Sequence, residues 1–483
     1  MSYIVSVDQS TSASKAFLVD ARGEIVRRAS RPHRQFYPAP GRVEHDAQEI
    51  FENVEVILAE VLEGIPCRDV KALALTNQRE TTVVWDRKTG IPVAPAMVWQ
   101  DIRGKDVCDE LAGRADFARK ITGAALSPYL PGSKIAAFRR ENPDIALRMD
   151  AGDLCVGTVD TYLVYRLTGG RTFATDYTNA GRTQLLNLGT LEWDADMLSL
   201  FGLGRACFAE RILPADADYG TYRGIPIAGV LGDSHAGLFG HGCHATGMVK
   251  ATYGTGSSVM LNTGERPLIP ENGLTAAVGF GFRGKVFYEL EGNVTCSGDA
   301  LVWLCHEMGM FRDAAEIESL ARTVPDAGGV AFVPALSGLG APHFDLNARA
   351  VLCGMTRGTT RAHVARAALE AVAMQDADVL EAMEQAIGGK MAVVKADGGG
   401  AGNALLMQMQ ADYADCEVVC PGASELSGLG AAYVAGLATG FYANFEEIPA
   451  LAVEAAVYRP RMERARRAAM RGDWRKALGK ARG

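Results

Sequence analysis

Residues 225–237 read IPIAGVLGDSHAG. A short run rich in Ile and Val stops at Gly232, an acid follows at Asp233, and a small-residue segment then turns into a helix. A carboxylate at the carboxyl end of a buried strand stands where open α/β sheets bind their ligands. Taken alone, Asp233 reads equally well as a helix cap.

Working outward from this stretch, the chain falls into two halves, 1–242 and 243–483, that each begin with strand, polar turn, strand. The first opens as a meander: Tyr3–Asp8, Ala16–Asp20 and Ile25–Ala29, with the polar run Gln9–Ser14 as the first turn. Apolar residues Ile50, Val54, Ile57, Leu58 and Val61 predict a helix over 47–62, capped by Asp46 with Glu49 three residues on. A strand over 72–76 then leads into Asn77-Gln78-Arg79-Glu80. The second half opens with MVKATYGTGSSVMLNTG, residues 248–264, and continues with the strand KVFYELEG. A long helix over 361–387 follows, capped by Thr359 or Thr360 and stopped by Gly388-Gly389. A strand over 393–396 breaks into DGGGAGN and a helix over 404–413, and the Arg- and Lys-rich segment 464–481 reads as a solvated helix face. This succession predicts an α/β fold with an internal duplication of architecture.

Composition narrows the function. Lys plus Arg number 49 against 57 Asp plus Glu, a net charge of −8, which argues against a nucleic-acid binder. No apolar run approaches the ~18 residues that span a bilayer, so membrane insertion is not expected. The amino terminus enters a strand directly, without a signal-like segment, and a cytoplasmic location is expected. Ten cysteines occur without a CxxC pair, and they read as buried reduced thiols rather than metal ligands.

Four features carry chemistry. The turns Asp8-Gln9-Ser10-Thr11-Ser12 and Gly254-Thr255-Gly256-Ser257-Ser258 present backbone N–H groups and hydroxyls at a tight bend, a nest that suits phosphate oxygens. Either alone is an ordinary hairpin; two in matching places point further. DGGGAGN places a small-residue turn at a helix amino terminus, favourable for phosphate, although no Lys follows the glycines as in a P-loop. Arg79-Glu80 sets a cation beside an anion, able to hold vicinal hydroxyls or else to form a surface ion pair. Asp233 is able to accept the proton of a hydroxyl that is being phosphorylated.

At these residues the sequence resembles the FGGY family of carbohydrate kinases. The match runs from Tyr3 to about Phe445 and includes VDQSTSASK, PGRVEHD, TNQRETTVVWD, VWQDIR, YLPGSK, GTVDTYLVYRLTGG, ATDYTNAGRTQ, YGTGSSVMLNTGE, GLGAPHFD and LMQMQAD. The resemblance implies two actin-like (ribonuclease H-like) domains with a catalytic cleft between them, and transfer of phosphate from ATP, with Mg²⁺, to a terminal hydroxyl of a small polyol, glycerol by default. It implies Asp233 as general base and Arg79, Glu80, Trp99 and Tyr129 as acceptor ligands. Thr11, Ser12, Lys15 and Thr255 would meet the nucleotide phosphates, Gly298, Gly399 and Asn403 would line the adenosine side, and Asp8 would support Mg²⁺ indirectly. A homo-oligomer, dimer or tetramer, is expected.

Departures from the family pattern bear on the acceptor. Members acting on glycerol carry two glutamines after the catalytic acid, where this chain has Ser234 and His235, and an aromatic where it has Ser258. An aromatic side chain buries roughly 150–250 Å², so its loss leaves room for a four- or five-carbon polyol or sugar; glycerol with water filling the gap is the competing expectation. Lys15 replaces the usual Arg, and Val302 stands where a glutamine often faces the adenine. A non-catalytic actin-like ATP-binding protein is the alternative from another class.

Overall fold

The computed structural model describes residues 1–446, 448 and 454–482. Its framework strands in the first half are β1 (Tyr3–Gln9), β2 (Ala13–Val19), β3 (Ile25–Pro32), β4 (Val70–Asn77) and β5 (Ile225–Gly232), with α1 (Ala47–Val61) between β3 and β4 and α2 (Asp233–Gly240) after β5. In the sheet the order is β5-β4-β1-β2-β3, with Thr221–Tyr222 at the edge beyond β5. Strands β1, β4 and β5 run parallel, whereas β2 is antiparallel to β1 and β3 to β2.

The second half repeats this plan. Its elements are β6 (Val249–Tyr253), β7 (Ser257–Gly264), β8 (Thr275–Phe282), β9 (Lys285–Val294), α3 (Gly298–His306), α4 (Arg361–Ile387), β10 (Val393–Asp397), α5 (Ala404–Ala414), β11 (Glu417–Pro421), α6 (Leu426–Ala438), β12 (Glu454–Tyr458) and α7 (Arg464–Arg482). The sheet order is β8-β9-β7-β6-β10-β11-β12. Strands β6, β10 and β11 are parallel, as β1, β4 and β5 are, and β7 and β9 take the places of β2 and β3. Order and sense agree, so the architecture is duplicated even though the residues are not.

Local chemistry explains the boundaries. Asp46 caps α1 by accepting from the N–H groups of Gln48 and Glu49. Thr360 and His363 close a capping box at the start of α4, and Gly388 ends it in the left-handed region at φ 65°. Strand β2 begins at Ala13, three residues earlier than the apolar pattern predicts, because Ser10 closes the bend with both its N–H and its Oγ on the Ala13 carbonyl at 2.9 Å. The basic terminal helix is also more than a solvated face: Arg471 is buried and pairs with Asp378 and Glu381 at 2.7 Å, and buried Trp474 donates its Nε1–H to Asp378.

The two halves interlock. The turn after α2 contains the 242/243 step in the chain, but packing crosses it in both directions. Helix α6 lies on the first sheet, where Leu429, Ala432 and Tyr433 share a core with Ile4, Phe17, Ala74 and Leu231. In return the β8–β9 hairpin bonds to the first half, through Ala276 N–H to the Gly123 carbonyl and the Tyr288 hydroxyl to the Leu188 carbonyl. Helices α2 and α6 approach so closely that a Cβ on Gly430 would stand 1.9 Å from the Ala236 carbonyl oxygen. Only glycine fits there. Gly430→Ala therefore overpacks the crossing and should lower stability by about 1–3 kcal/mol, read as a reduced Tm; an unchanged Tm would show that the crossing does not constrain the fold.

Candidate active site

The site begins where parallel strands end. Asn77, at the end of β4, is in register with Gln9 on β1 and with Gly232 on β5. Asp8, Arg79-Glu80 and Asp233 therefore emerge at one edge of one sheet, the carboxyl edge where such sheets bind ligands. The second sheet brings its own ends beside them: Thr252 is in register with Asp397, and Tyr253 with Ser257.

On the acceptor side, five residues form a chain of alternating charge. Glu80 pairs with Arg182 Nε at 2.6 Å, Arg182 Nη1 lies 2.9 Å from Glu291, Arg79 Nη2 donates to Glu291 at 2.8 Å, and Arg79 Nε lies 3.4 Å from Asp233. Arg79 and Glu80 thus do not form an ion pair with each other but each finds a distant partner. Glu80 sits in the left-handed region at φ 62°, and its carboxylate pairs with Arg182. Glu291 is 1% exposed; burial pushes its carboxyl up, but Arg79 and Arg182 override this and hold it well below the ordinary carboxylate range. Burial likewise acts to lower the Arg79 guanidinium, yet Glu291, Glu80 and Asp233 keep it well above its usual value and firmly charged.

Asp233 is the first residue of α2, not its cap; the cap position belongs to Gly232, and the Asp233 carboxylate accepts from the Ser234 N–H at 2.6 Å. Its side chain keeps about a third of its surface exposed (34%). Burial raises its pKa and Arg79 opposes the rise, which leaves a partly exposed carboxylate more basic than usual at the carboxyl end of the sheet. Ser258 is half-buried and donates its hydroxyl to Glu291 Oε1 at 3.3 Å. Ser234 is half-buried beside Asp233, and behind it fully buried His235 and Glu289 lie 3.0 Å apart. Trp99 and Tyr129 are partly exposed; Tyr129 lies two residues before the helix Pro131–Glu141, whose Lys134 donates to the Trp99 carbonyl at 3.1 Å.

On the other side lie the turns. Thr11 and Ser12 occupy the β1–β2 bend. Lys15, opposite Asp8 in the ladder, does not project freely but pairs with Glu425 at 2.7 Å. Asp8 is buried with Oδ1 lacking a partner; burial first, then the neighbouring Asp233, pushes its pKa to about 7. The Gly254 and Thr255 carbonyls accept from Gly298 and Asp299 at 3.0 Å, seating the second turn on the start of α3. A Cβ on Gly298 would meet the Gly254 oxygen at 2.5 Å, so that glycine permits the seating. Gly399 is exposed in the turn before α5, and Asn403 caps that helix with Oδ1 on the Leu406 N–H, leaving its amide donors free. Asp397 contributes a second orphaned buried oxygen, Oδ1, while its Oδ2 lies 3.0 Å from His241 Nε2.

Residues 3–240 match the N-terminal domain, and residues 249–439 the C-terminal domain, of the FGGY family of carbohydrate kinases. The chain belongs to this family and is an ATP-dependent carbohydrate kinase. Among its relatives are glycerol kinase 2 of Thermotoga maritima, 42% identical over all of this chain and 99% of that protein, and the glycerol kinase of Thermus brockianus, 45% identical over the same shares. The fold superposes on Plasmodium falciparum glycerol kinase with ADP at a TM-score of 0.95, with 32% identity over 100% of this chain and 98% of that one. A xylulose kinase from Lactobacillus acidophilus shares the fold at a TM-score of 0.89 and 21% identity, covering 100% of this chain and 97% of that one.

Glu291 and Arg182 escape a reading of the sequence, because neither adjoins the strand-end motifs; alternate placement of Glu289 and Glu291 on one strand face was the available signal. Glu291→Gln weakens the hold on both arginines. Charged hydrogen bonds contribute about 1.5–3 kcal/mol each, so kcat/KM for the acceptor should fall roughly 10- to 100-fold while KM for ATP changes little. Wild-type acceptor kinetics would show that Glu291 does not organise the site.

Proposed function

We propose that this cleft transfers the terminal phosphoryl group of ATP to a terminal hydroxyl of a small polyol, with glycerol as the acceptor. The observation that carries this reading is the Asp233 carboxylate, made more basic by burial and set 3.4 Å from the Arg79 guanidinium on the cleft edge. The kinship with glycerol kinases over the whole chain supports the choice of acceptor.

In this mechanism Asp233 accepts the hydroxyl proton as the oxygen attacks, and its raised basicity favours that transfer. Arg79 and Glu80 bind neighbouring hydroxyls, one donating and one accepting; Arg79 Nη1 is a buried donor without a protein partner. Trp99 and Tyr129 complete the acceptor pocket. Thr11, Ser12 and Thr255 contact the phosphates, Lys15 reaches them only by giving up its pairing with Glu425, and Gly298, Gly399 and Asn403 border the nucleoside. Mg²⁺ would be held by the phosphates beside Asp8, whose unpartnered buried oxygen fits an ion that retains water and takes few protein ligands. Among the described residues no group of three His, Cys, Asp or Glu side chains forms a dedicated metal cage. When bound, the ion neutralises phosphate charge. No helix among the described residues is long and apolar enough to cross a membrane.

One observation favours a longer acceptor. Ser258 and Ser234, taken together as one wall of the acceptor pocket, are small and polar, with the Ser258 hydroxyl already tied to Glu291. Such a wall suits a further hydroxymethylene group of a four- or five-carbon polyol or sugar. Steady-state ADP release with glycerol, erythritol, threitol, xylitol and arabinitol decides between the two readings. The highest kcat/KM for glycerol supports the first; a tenfold preference for a C4 or C5 polyol replaces it by the second; ADP release unaffected by any polyol rejects both.

A further inference from the structure

Trp99 is fixed at three points. Its backbone N–H is accepted by Thr81 Oγ1 at 3.1 Å, its carbonyl accepts from Lys134 Nζ at 3.1 Å, and its indole Nε1–H is donated to Thr11 Oγ1 at 3.0 Å. Lys134 is fully buried and spends its hydrogen bonds on two carbonyls, Val98 at 2.8 Å being the other. Burying an amine for two carbonyl contacts is costly, and burial pushes its pKa down to about 7. The arrangement makes sense if the position of the Trp99 segment is itself what matters. From the opposite side, Thr81 donates to Gln78 Oε1 at 2.8 Å, and Gln78 Nε2 reaches Gln9 Oε1 at 3.2 Å and the Ser10 carbonyl at 3.4 Å. Trp99 and Gln78 therefore brace the same bend, residues 10–12, from two directions.

We infer that Trp99, beyond forming a wall of the acceptor pocket, is a positioning residue for the phosphate side of the cleft. A threonine hydroxyl carries one proton and two lone pairs. With one lone pair held by the indole N–H, the Thr11 rotor is fixed and its proton is left to donate to an anionic oxygen, polarised by the bond it receives. One side chain thus sets the geometry of the phosphate turn from within the acceptor pocket. The inference rests on the reading of the 10–12 bend as a phosphate site.

A double-mutant cycle on kcat/KM for ATP, run with the polyol turned over fastest, tests it. Trp99→Phe keeps the ring and removes the N–H; Thr11→Ala removes the hydroxyl. A neutral hydrogen bond contributes about 0.5–1.5 kcal/mol, so each change should lower kcat/KM for ATP roughly 3- to 10-fold. The double variant should fall no further than Thr11→Ala, and Trp99→Phe should cost as much beside Thr11→Ser as beside Thr11. Losses that multiply in the double variant, or a Trp99→Phe effect confined to KM for the polyol, would overturn the positioning role and leave the phosphate turn intact. Thr11→Ala without effect on ATP kinetics would remove the phosphate-site reading, and the inference with it.

Discussion

A buried carboxylate in one half of the molecule holds two buried guanidiniums of the other. Glu291 belongs to the second sheet, and Arg79 and Arg182 to the first half, so this charged cluster exists only when both halves are in place. Buried ion pairs are poor sources of net stability, because desolvation offsets most of the attraction, yet removing one partner strands the others at a cost of about 3–5 kcal/mol. A cluster of three carboxylates and two guanidiniums at this position is therefore better explained by what it orients than by what it stabilises. It aims Arg79 at Asp233 and Arg182 at Glu80, and it keeps the guanidiniums charged through burial that would otherwise lower them.

Backbone close approach supplies the rest of the rigidity. Gly430 against Ala236 fixes α2, whose first residue is Asp233, against α6. Gly298 against Gly254 fixes the second turn against α3, and the Gly398 position, at φ 86°, lets the chain after β10 pass the Tyr253 carbonyl, which a Cβ would meet at 2.5 Å. In each case a missing side chain lets one element locate another that carries site residues. Hydroxyls and amides at the turns then present donors without needing long cationic side chains, which fits the acidic balance of the chain.

The local parts of this arrangement were legible in the residues. Strand-to-helix passage at Gly232-Asp233, the capped helix from Arg361 to Ile387, and the paired polar bends all follow from short-range chemistry, namely caps, periodicity and turn residues. The long-range parts were not. Arg79 finds Glu291 across 212 positions, and Glu80 finds Arg182 across 102; no local pattern encodes such partners, so Arg79-Glu80 read only as an adjacent pair, set to hold vicinal hydroxyls or to form a surface ion pair. Charge content likewise misleads in the terminal helix, where Arg471 reads as solvated yet is buried against Asp378 and Glu381. The resemblance to a kinase family pointed to the candidate site residues, but the hydrogen bond from Trp99 to Thr11 became visible only in the folded chain.

The proposed phosphoryl transfer depends on Asp233 as the proton acceptor. Glycerol-dependent ADP release by Asp233→Asn, compared with the wild-type chain at matched Tm, tests this most directly. General-base catalysis contributes roughly 10²–10⁴-fold, so kcat should fall by at least two orders of magnitude while glycerol binding, followed by calorimetry, is largely kept. A kcat within a few-fold of wild type would contradict the assignment of Asp233 and the mechanism built on it.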